Sequence, residues 1–248
     1  MDILFLGYNR KQTSIIHFLE ERGHNVVQIS DKTTSTYFSK FDWAISFGYR
    51  HIITQKQIDA IKGNIINLHI SYLPFNRGSH PNFWAFYDNT PSGVTIHKLD
   101  KGLDTGDILV RKQINFDITQ ETFLTTYNKL INEIEELFKE NHIGIFNNTI
   151  SPTPQINLKK GTYHKVKDLP PIKSWDTNIK NYLEMVKRTD KEIIDEIEAI
   201  RTRNNVNWMD AVRLAFELAP ERARAIFQDI KECDIKVNEL LEELSTNE

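Results

Sequence analysis

The first 150 residues alternate between short apolar runs and stretches whose apolar positions recur at helical spacing. Each apolar run is short and is bounded by polar residues or glycine, which is typical of a buried strand. The predicted strands cover residues 3–6, 26–29, 43–47 and 65–68, and the predicted helices cover about 15–19, 54–61, 79–87 and 119–141. Strands that alternate with helices are joined by right-handed crossovers, so the pattern predicts a mostly parallel sheet covered on both faces.

Two later apolar runs, at 94–99 and 108–114, predict further strands that pair antiparallel. An irregular stretch follows them, because prolines recur at 152, 154, 170 and 171. This series of strands, turns and loops is typical of an α/β fold. We predict that the α/β body extends to about residue 186.

The C-terminal 60 residues differ from the body in composition. The segment 189–248 has no glycine and carries 15 acidic against 8 basic side chains, which predicts an all-α region. In its last helix, apolar positions recur at alternating steps of four and three, a pattern that favours packing on another helix. These seam residues are Ile226, Ile230, Cys233, Val237, Leu240 and Leu244, and an isoleucine stripe at 193, 194, 197 and 200 precedes them. We expect Cys233 to be a packed thiol.

Within this tail, Asn204–Asn207 predicts a loop and a helix N-cap, and Pro220 is expected to open the last helix. The sequence therefore predicts a body at 1–186, with its core at 1–150, and a helical module at 187–248. The apolar seam needs a partner, for which a homodimer is the favoured hypothesis. Docking on the body and binding of another protein are the alternatives.

Whole-chain composition narrows the class of protein. The 248 residues carry 31 Lys and Arg against 34 Asp and Glu, and this net charge of −3 disfavours a protein that mainly grips nucleic acid. A single cysteine excludes an internal disulfide framework and a Cys-rich zinc or iron–sulfur site. The sequence contains no apolar run that predicts a membrane span, and its first residues do not resemble a signal peptide. We therefore expect a soluble, cytoplasmic protein.

Asn67 and His69 stand two residues apart at the end of the fourth predicted strand. Residues i and i+2 of a strand point to the same side, so an amide and an imidazole emerge together at the carboxyl edge of the sheet. Open α/β sheets bind their ligands at this edge. For these two residues alone, a chance polar pair at a strand end is the plainer interpretation.

Two polar loops follow this strand. The first contains Leu73–Pro74, Arg77–Gly78 and His80–Asn82, and it leads into a short helix with Trp84. The second is Gly102–Asp107, where two glycines flank an acidic turn and allow the backbone to approach a ligand closely. For the second loop, an ordinary Asp/Gly hairpin turn is the alternative interpretation.

Together these segments resemble the 10-formyltetrahydrofolate-dependent formyltransferase family over roughly residues 1–150. The family's motifs Asn-x-His, Ser-x-Leu-Pro, Arg-Gly and Gly-x-Asp-x-Gly appear, in order and spacing, as Asn67–His69, Ser71–Pro74, Arg77–Gly78 and Gly102–Gly106. The resemblance implies an α/β, Rossmann-like formyltransferase domain, followed here by a small all-α C-terminal region. Within the family, His80–Asn82 and Thr95–His97 look most like the nucleotide-sugar N-formyltransferases. The tail does not resemble the β-barrel that methionyl-tRNA formyltransferases add.

The resemblance also implies the roles of individual residues. It makes Asn67, His69 and Asp104 a catalytic trio. The implied folate pocket consists of a loop that holds the pterin mainly through backbone groups, Tyr49, Arg50, His51, Ile52 and Ile53, together with Leu99, Asp100 and Leu103. The implied co-substrate is 10-formyltetrahydrofolate, and no metal is expected because the folate already carries an activated formyl group.

The chemistry of formyl transfer fits this trio. Transfer to an amine passes through a tetrahedral oxyanion, which preorganised donors stabilise. The Asn67 amide can donate to that oxygen, and His69 can accept the proton of the attacking amine. Asp104 either orients the imidazole or holds a water that relays the proton. The alternative division, in which His69 contacts the oxyanion, stays open.

On the substrate side, the resemblance points to the amino group of a dideoxy sugar joined to dTDP. The preferred sugar is 4-amino-4,6-dideoxyglucose, whose formylated product would enter surface polysaccharide (O-antigen) assembly. The candidate substrate-binding residues are Ser71, Arg77, His80, Asn82 and Trp84. A core role for Trp84 and a solvated Arg77 are the plainer alternatives.

Three other functions remain as hypotheses from the sequence. They are formyl transfer to methionyl-tRNA, hydrolysis of the folate with release of formate, and a non-catalytic scaffold of the same fold. The absence of a basic C-terminal domain disfavours the tRNA substrate. The intact trio disfavours the scaffold.

Overall fold

The computed structural model describes residues 1–158, 160–187 and 190–246. The chain divides into two compact units, Met1–Val186 (unit 1) and Lys187–Glu248 (unit 2). Along the described ranges, no helix combines the length and the apolar character needed to cross a membrane.

Eight strands in the described residues form two sheets. They are β1 (Asp2–Gly7), β2 (Asn25–Ile29), β3 (Trp43–Phe47), β4 (Ile65–His69), β5 (Arg77–Gly78), β6 (Gly93–Lys98), β7 (Ile108–Gln113) and β8 (Tyr163–His164). The larger sheet has the order β2-β1-β3-β4-β6-β7, and the smaller sheet pairs β5 with β8. Strands β2, β1, β3 and β4 are parallel, whereas β6 is antiparallel to both β4 and β7. The predicted α/β fold with a mostly parallel sheet is confirmed.

The described helices alternate with the strands of unit 1 and then make up unit 2. They are α1 (Ile15–Glu20), α2 (Ser35–Phe38), α3 (Gln55–Ala60), α4 (Pro81–Tyr87), α5 (Phe123–Phe146), α6 (Ile179–Lys187), α7 (Asp190–Leu218) and α8 (Pro220–Thr246). The four helices predicted for the body correspond to α1, α3, α4 and α5. The sequence analysis missed α2 and α6.

The alternation of side chains along β1 builds a core on each face of the sheet. Ile3 and Phe5 pack with residues of α1 and α5, whereas Leu4 and Leu6 pack with Phe38 of α2 and with residues of α3. All four β1 side chains are fully buried. Successive residues of a strand face opposite sides, so a run that is apolar at every position requires cover on both faces.

A third cluster of buried side chains joins α4, α5 and α6. It contains Phe83, Trp84, Phe123, Ile179, Tyr182 and Leu183. This cluster fixes the N-terminal turns of α4 and α5 relative to each other, and both turns border the cavities described below.

The small sheet ties the proline-rich stretch to the loop after β4. Arg77 pairs with Tyr163 and Gly78 with His164. Gly78 has a φ of +90°, and a Cβ at this position would lie 2.3 Å from the carbonyl oxygen of His164. Only glycine therefore fits where the two backbones meet.

Unit 2 consists of α7 and α8, with Phe216 and Phe227 in contact at 5.6 Å between ring centroids. The predicted loop and N-cap at Asn204–Asn207 are wrong, because α7 continues through these residues. Pro220 is the first residue of α8, as predicted. Helical spacing in the flanking residues overrides the weak helix propensity of asparagine here.

The seam predicted on α8 is exposed where it is described. Cys233 is exposed, so the packed thiol expected from the sequence is wrong. Ile226, Val237 and Leu240 each expose half or more of their surface. The side chains of Ile193 and Leu244 lie outside the described residues.

Candidate active site

The catalytic candidates meet where β4 and β6 lie side by side. These two strands run antiparallel, with Asn67 opposite His97 and His69 opposite Thr95. His97 therefore falls beside the Asn67 amide. The sheet brings a second histidine to the pair that the sequence analysis had singled out.

Asp104 lies in a tight turn after β6 that local hydrogen bonds hold in shape. The Asp100 carboxylate accepts hydrogen bonds from the Gly102 amide at 2.9 Å and from the Thr105 hydroxyl at 2.7 Å. Asp104 itself has a φ of +53°, which aspartate adopts more readily than most residues other than glycine. The turn directs the Asp104 carboxylate back towards the end of β4.

Gln155 connects this turn to the loop after β4. Its buried side-chain amide donates to the carbonyl oxygens of Asp104 (2.9 Å) and Gly106 (2.7 Å). Its Oε1 accepts two hydrogen bonds from the Arg77 guanidinium, at 3.1 and 2.7 Å. The Gly78 amide donates directly to Asp104 Oδ2 at 2.9 Å. Asp104 is thus held by groups from two other segments of the chain.

The structure brings Asn67, His69 and Asp104 together, with His97 as a fourth member. Asp104 Oδ1 lies 3.3 Å from Asn67 Nδ2 and 3.6 Å from His97 Nε2. Asp104 Oδ2 lies 3.7 Å from His69 Nε2. One carboxylate therefore faces all three of the other side chains.

The contacts of His97 fix its tautomer and the orientation of Asn67. His97 Nδ1 lies 2.8 Å from the Lys98 carbonyl oxygen, which can only accept, so Nδ1 carries the proton. In the neutral ring, Nε2 then accepts from Asn67 Nδ2 at 3.2 Å. The second hydrogen of this amide points at Asp104, and the flipped amide would place its oxygen against the carboxylate instead.

The orientation of the Asn67 amide limits its ability to donate a hydrogen bond to the oxyanion. Both hydrogens of the Asn67 amide are directed at acceptors within the cluster. Asn67 can donate to a ligand only if one of these bonds yields when the ligand enters. The alternative division, in which His69 contacts the oxyanion, does not need that change.

For both His69 and Asp104, burial and the surrounding groups shift the pKa in opposite directions. Burial lowers the pKa of His69, and the nearby Asp104 carboxylate raises it by less, so the imidazole is neutral at pH 7. Burial alone would raise the pKa of Asp104, but His69, His97 and the Gly78 amide together hold it well below its usual range. The site thus contains an ionised carboxylate beside a neutral imidazole, which can accept a proton.

An open cleft of about 550 Å³ lies against these residues, and we call it the catalytic cleft. Its walls come from Tyr8, Phe47–Arg50, Ile52, Asn67–Ile70, Gly78–Ser79, Pro81, Leu103–Asp104, Ile131 and Tyr163–Val166. The volume lies in the range of small-molecule sites. In the described part of the chain, no group of three or more His, Cys, Asp or Glu side chains is placed to hold a metal ion.

The residues predicted for the folate pocket fall into two groups. Tyr49, Arg50, Ile52 and Leu103 line the catalytic cleft. His51, Ile53, Leu99 and Asp100 are not among its lining residues: Ile53 is a core residue, Leu99 packs against that core, and His51 contacts the Tyr49 ring. Asp100 supports the turn of Asp104. These four are placed to shape the loops around the cleft.

Three residues predicted for substrate binding have structural roles in the described fold. Ser71 is buried, and its carbonyl oxygen accepts from the Thr95 hydroxyl. Arg77 binds Gln155, and Trp84 is a core residue whose ring stacks on His164 at 3.9 Å between centroids. None of the three lines either cavity described here, and their assignment to substrate binding stays a prediction. The plainer alternative for Trp84, a core role, agrees with its burial.

His80 and Asn82, the other two candidates, line a second cavity that we call the side cavity. It has a volume of about 490 Å³ and is lined by Arg50, Ile70, His80, Pro81, Asn82, Phe123, Leu124, Tyr127 and Trp175. Arg50, Ile70 and Pro81 belong to the walls of both cavities. The two cavities therefore adjoin.

Sequence reasoning missed three residues that matter to this site. For His97 a signal was present, since an antiparallel β4–β6 pair would have set it opposite Asn67. For Gln155 and Trp175 there was none, because Gln155 lies in the irregular proline-rich stretch and Trp175 lies in the loop just after it. Their places follow from tertiary contacts over long sequence separations.

Comparisons with known proteins found similarity to one family of enzymes. A model of the formyl transferase family matches residues 9–140. Among solved structures, the chain is similar to the formyltransferase PseJ from Anoxybacillus kamchatkensis, in complex with UDP-4,6-dideoxy-4-formamido-L-AltNAc and tetrahydrofolate. The identity is 41%, the match covers 73% of this chain and 96% of that one, and the TM-score is 0.66.

More distant relatives include enzymes with different substrates. A 4-N formyltransferase from Francisella tularensis is 22% identical over 67% of this chain and 77% of that one, with a TM-score of 0.57, which shows a shared fold. The curated methionyl-tRNA formyltransferase of Lachnospira eligens is 33% identical over 132 residues, covering 53% of this chain and 41% of that protein. That of Mesoplasma florum is 29% identical over 140 residues, covering 56% and 44%. The chain thus spans less than half the length of these curated relatives.

Proposed function

Because this chain belongs to the formyl transferase family, we propose that it transfers the formyl group of 10-formyltetrahydrofolate to the amino group of a nucleotide-linked amino sugar. The observation that carries this proposal is the convergence of Asn67, His69 and Asp104 on one side of the catalytic cleft. The similarity to a formyltransferase crystallised with a nucleotide-linked formamido sugar supports the substrate class. Tetrahydrofolate in that complex supports the one-carbon donor.

The proposed reaction is an acyl transfer. The amine nitrogen attacks the formyl carbon, a C–N bond forms, and the carbonyl oxygen becomes an oxyanion. When this intermediate collapses, the bond between the formyl carbon and the folate nitrogen breaks. The proton lost by the amine passes to that folate nitrogen, so the products are a formamide and tetrahydrofolate.

The roles of the residues follow from their charge states. A neutral His69 can accept the amine proton, and the ionised Asp104 stabilises the imidazolium that forms. Asn67 either donates to the oxyanion after releasing one internal bond or uses its oxygen to orient the amine. In the second case, His69 contacts the oxyanion, as the sequence analysis left open.

The proposed sugar is a 4-amino-4,6-dideoxy sugar. The sequence analysis favours dTDP-4-amino-4,6-dideoxyglucose, whereas the similar solved enzyme was crystallised with a UDP-linked sugar. Both nucleotides therefore belong in the test. A cytoplasmic location and a part in surface polysaccharide assembly stay predictions.

Methionyl-tRNA is the second candidate acceptor, since curated methionyl-tRNA formyltransferases match just over half of the chain. The net charge of −3 weighs against this acceptor, because it does not favour binding of a polyanion. We include this acceptor in the test.

The experiment incubates the full chain with 10-formyltetrahydrofolate and one acceptor at a time. The acceptors are UDP- and dTDP-linked 4-amino-4,6-dideoxy sugars, a dTDP-linked 3-amino sugar, and initiator methionyl-tRNA. Mass spectrometry reads the gain of one formyl group, and a separate assay reads formate. We expect formylation of a 4-amino sugar and a loss of about 100-fold or more in the His69→Asn variant.

Other outcomes would replace the proposal. Formylation of methionyl-tRNA alone would select the second candidate. Release of formate without a formylated acceptor would show a hydrolase. Formylation that continues undiminished in the His69→Asn variant would overturn the catalytic assignment.

We propose further that the chain forms a homodimer through unit 2. Support comes from the exposed apolar side chains on its helices, among them Trp208, Leu218 and Leu240. Light scattering of the full chain across a concentration series tests this. A monomer at all concentrations would contradict it.

A further inference from the structure

The side cavity contains an aromatic platform that is fixed in place. The rings of Trp175 and His80 lie 5.6 Å apart between centroids, with an interplanar angle of 11°. The indole packs edge-to-face with Phe83 and Phe123, at 6.4 and 6.3 Å between centroids. Trp175 nevertheless remains 40% exposed, so part of the indole is free to stack on a ligand.

The loop that carries Trp175 is bonded to the start of α5. The Trp175 carbonyl oxygen accepts from the Leu124 amide at 2.8 Å. On its other side, the Thr122 hydroxyl donates to the Asp176 carboxylate at 3.2 Å. A platform tied down in this way loses little conformational entropy when a ligand stacks on it.

The polar groups around the cavity complement a nucleotide. Arg50 lies on the wall shared with the catalytic cleft, and it has no ion-pair partner among the described side chains. Asn82 is buried; its Nδ2 donates to the Phe123 carbonyl oxygen at 2.8 Å, and its Oδ1 has no partner in the described part of the chain. Guanidinium groups bind phosphates well, and a buried amide oxygen needs a donor such as a base N–H.

The two tyrosine hydroxyl groups where the cavities adjoin do not add negative charge that would repel a phosphate. Tyr8 and Tyr127 share a hydrogen bond of 2.6 Å, and burial together with Tyr127 raises the pKa of Tyr8. Tyr8 is therefore a neutral phenol at pH 7. Arg50 is left as the charged group on the shared wall.

We propose that the side cavity binds the base of the nucleotide sugar, stacked on Trp175 and His80, while Arg50 binds the diphosphate at the passage to the catalytic cleft. This inference rests on the proposed function and adds the location of the nucleotide. The amino sugar then extends past Arg50 and Ile70 towards His69. The cavity volume of about 490 Å³ suffices for a base with its ribose.

The test measures nucleotide affinity without any formyl transfer. Isothermal titration of the full chain with UDP, dTDP, uridine and thymidine gives the dissociation constants. We expect Trp175→Ala to weaken binding of the preferred nucleotide and of its nucleoside about tenfold or more, since base stacking on an aromatic ring contributes that much. Trp175→Phe keeps an aromatic face and should retain most of the affinity.

Two further variants separate the parts of the site. Arg50→Gln should weaken the nucleoside diphosphate about tenfold and leave the nucleoside unchanged, because only the diphosphate carries charge. Trp208→Ala removes an exposed tryptophan of unit 2 and should bind as the wild type does. Thermal melts of all variants verify that the fold is kept.

The failure of this proposal is distinct from failure of the proposed function. Wild-type affinity in a folded Trp175→Ala variant would overturn the side cavity as the base site, even if sugar formylation is observed. Lack of binding of both diphosphates to the wild type would overturn it as well. The proposed function is judged separately by the acceptor assay, in which Trp175→Ala is expected to raise KM for the nucleotide sugar and to leave kcat within a few-fold.

Discussion

At the scale of single residues, the candidate site is organised around the Asp104 carboxylate. Asn67, His69 and His97 all face it. Asp104 is held by the Gly78 amide at 2.9 Å, and through its carbonyl oxygen by Gln155. His97 is buried and is not among the residues that line the catalytic cleft. Its contacts with Asn67 and Asp104 make it a positioning residue.

Replacing His97 by Ala removes the acceptor of one Asn67 hydrogen and one contact to Asp104. We expect kcat to fall about tenfold or more while KM for the folate changes little, because small displacements of catalytic groups slow the chemical step. Steady-state kinetics with the preferred acceptor give both parameters. His142→Ala is the matched control, since His142 also uses Nδ1 on a backbone carbonyl, at 2.7 Å, but lies on α5 outside the cleft lining. Equal losses in the two variants would contradict the positioning role.

His69 should titrate below its ordinary pKa of 6.5, because burial outweighs the influence of Asp104. The sign for Asp104→Asn follows from this balance. The carboxylate raises the pKa of His69, so its removal should lower that pKa further. NMR chemical shifts of the imidazole against pH, assigned with the His69→Asn variant, give both values. A pKa above 6.5, or a rise in the Asp104→Asn variant, would show that charge outweighs burial.

Among the secondary-structure elements, the strands of the large sheet and the long helix α5 were predicted well, because their apolar patterns are strong. Three of the elements that were missed are too short to carry a pattern. Helix α2 has four residues, and β5 and β8 have two residues each and are separated by 84 residues. Such a pair forms because tertiary contacts bring the segments together, and no local sequence pattern predicts it.

The β5–β8 pair is expected to depend on glycine at position 78. Gly78→Ala would place a Cβ 2.3 Å from the His164 carbonyl oxygen, so the strands must separate and the hydrogen bond to Asp104 is lost. Gly63→Ala is the matched control: Gly63 also has a positive φ, of +76°, but nothing lies within 4 Å of its added Cβ. We expect the control to cost about 1 kcal/mol and to keep its activity.

Thermal melts and formyl-transfer assays of both variants provide the comparison. Gly78→Ala should lose more stability than Gly63→Ala and about tenfold or more in kcat. If the two variants melt and react alike, the close approach of β5 and β8 is not needed for the site.

For the whole molecule, the division into two units separates the proposed chemistry from the helical tail. All residues that line the catalytic cleft and the side cavity belong to unit 1. The match to the formyl transferase family likewise ends at residue 140. The proposed catalytic domain is therefore unit 1.

Deleting residues 189–248 should change the oligomeric state more than the chemistry. We expect the shortened chain to keep kcat within a few-fold and to lose the proposed dimer. Circular dichroism, light scattering and the acceptor assay measure fold, mass and activity. A folded but inactive product would show that unit 2 contributes to the reaction.

Apolar periodicity was enough to specify the α/β class and the sheet, and motifs that resemble those of a known family pointed to Asn67, His69 and Asp104. These features are local, or depend on where parallel strands end, and both can be inferred along the chain. Long-range packing alone set the contact of His97 with Asn67, the hydrogen bonds of Gln155 and the platform of Trp175. Their positions depend on backbone segments that are tens of residues apart in sequence and meet in the fold. The side-chain contacts and steric fit between such segments produce no periodic pattern in the sequence.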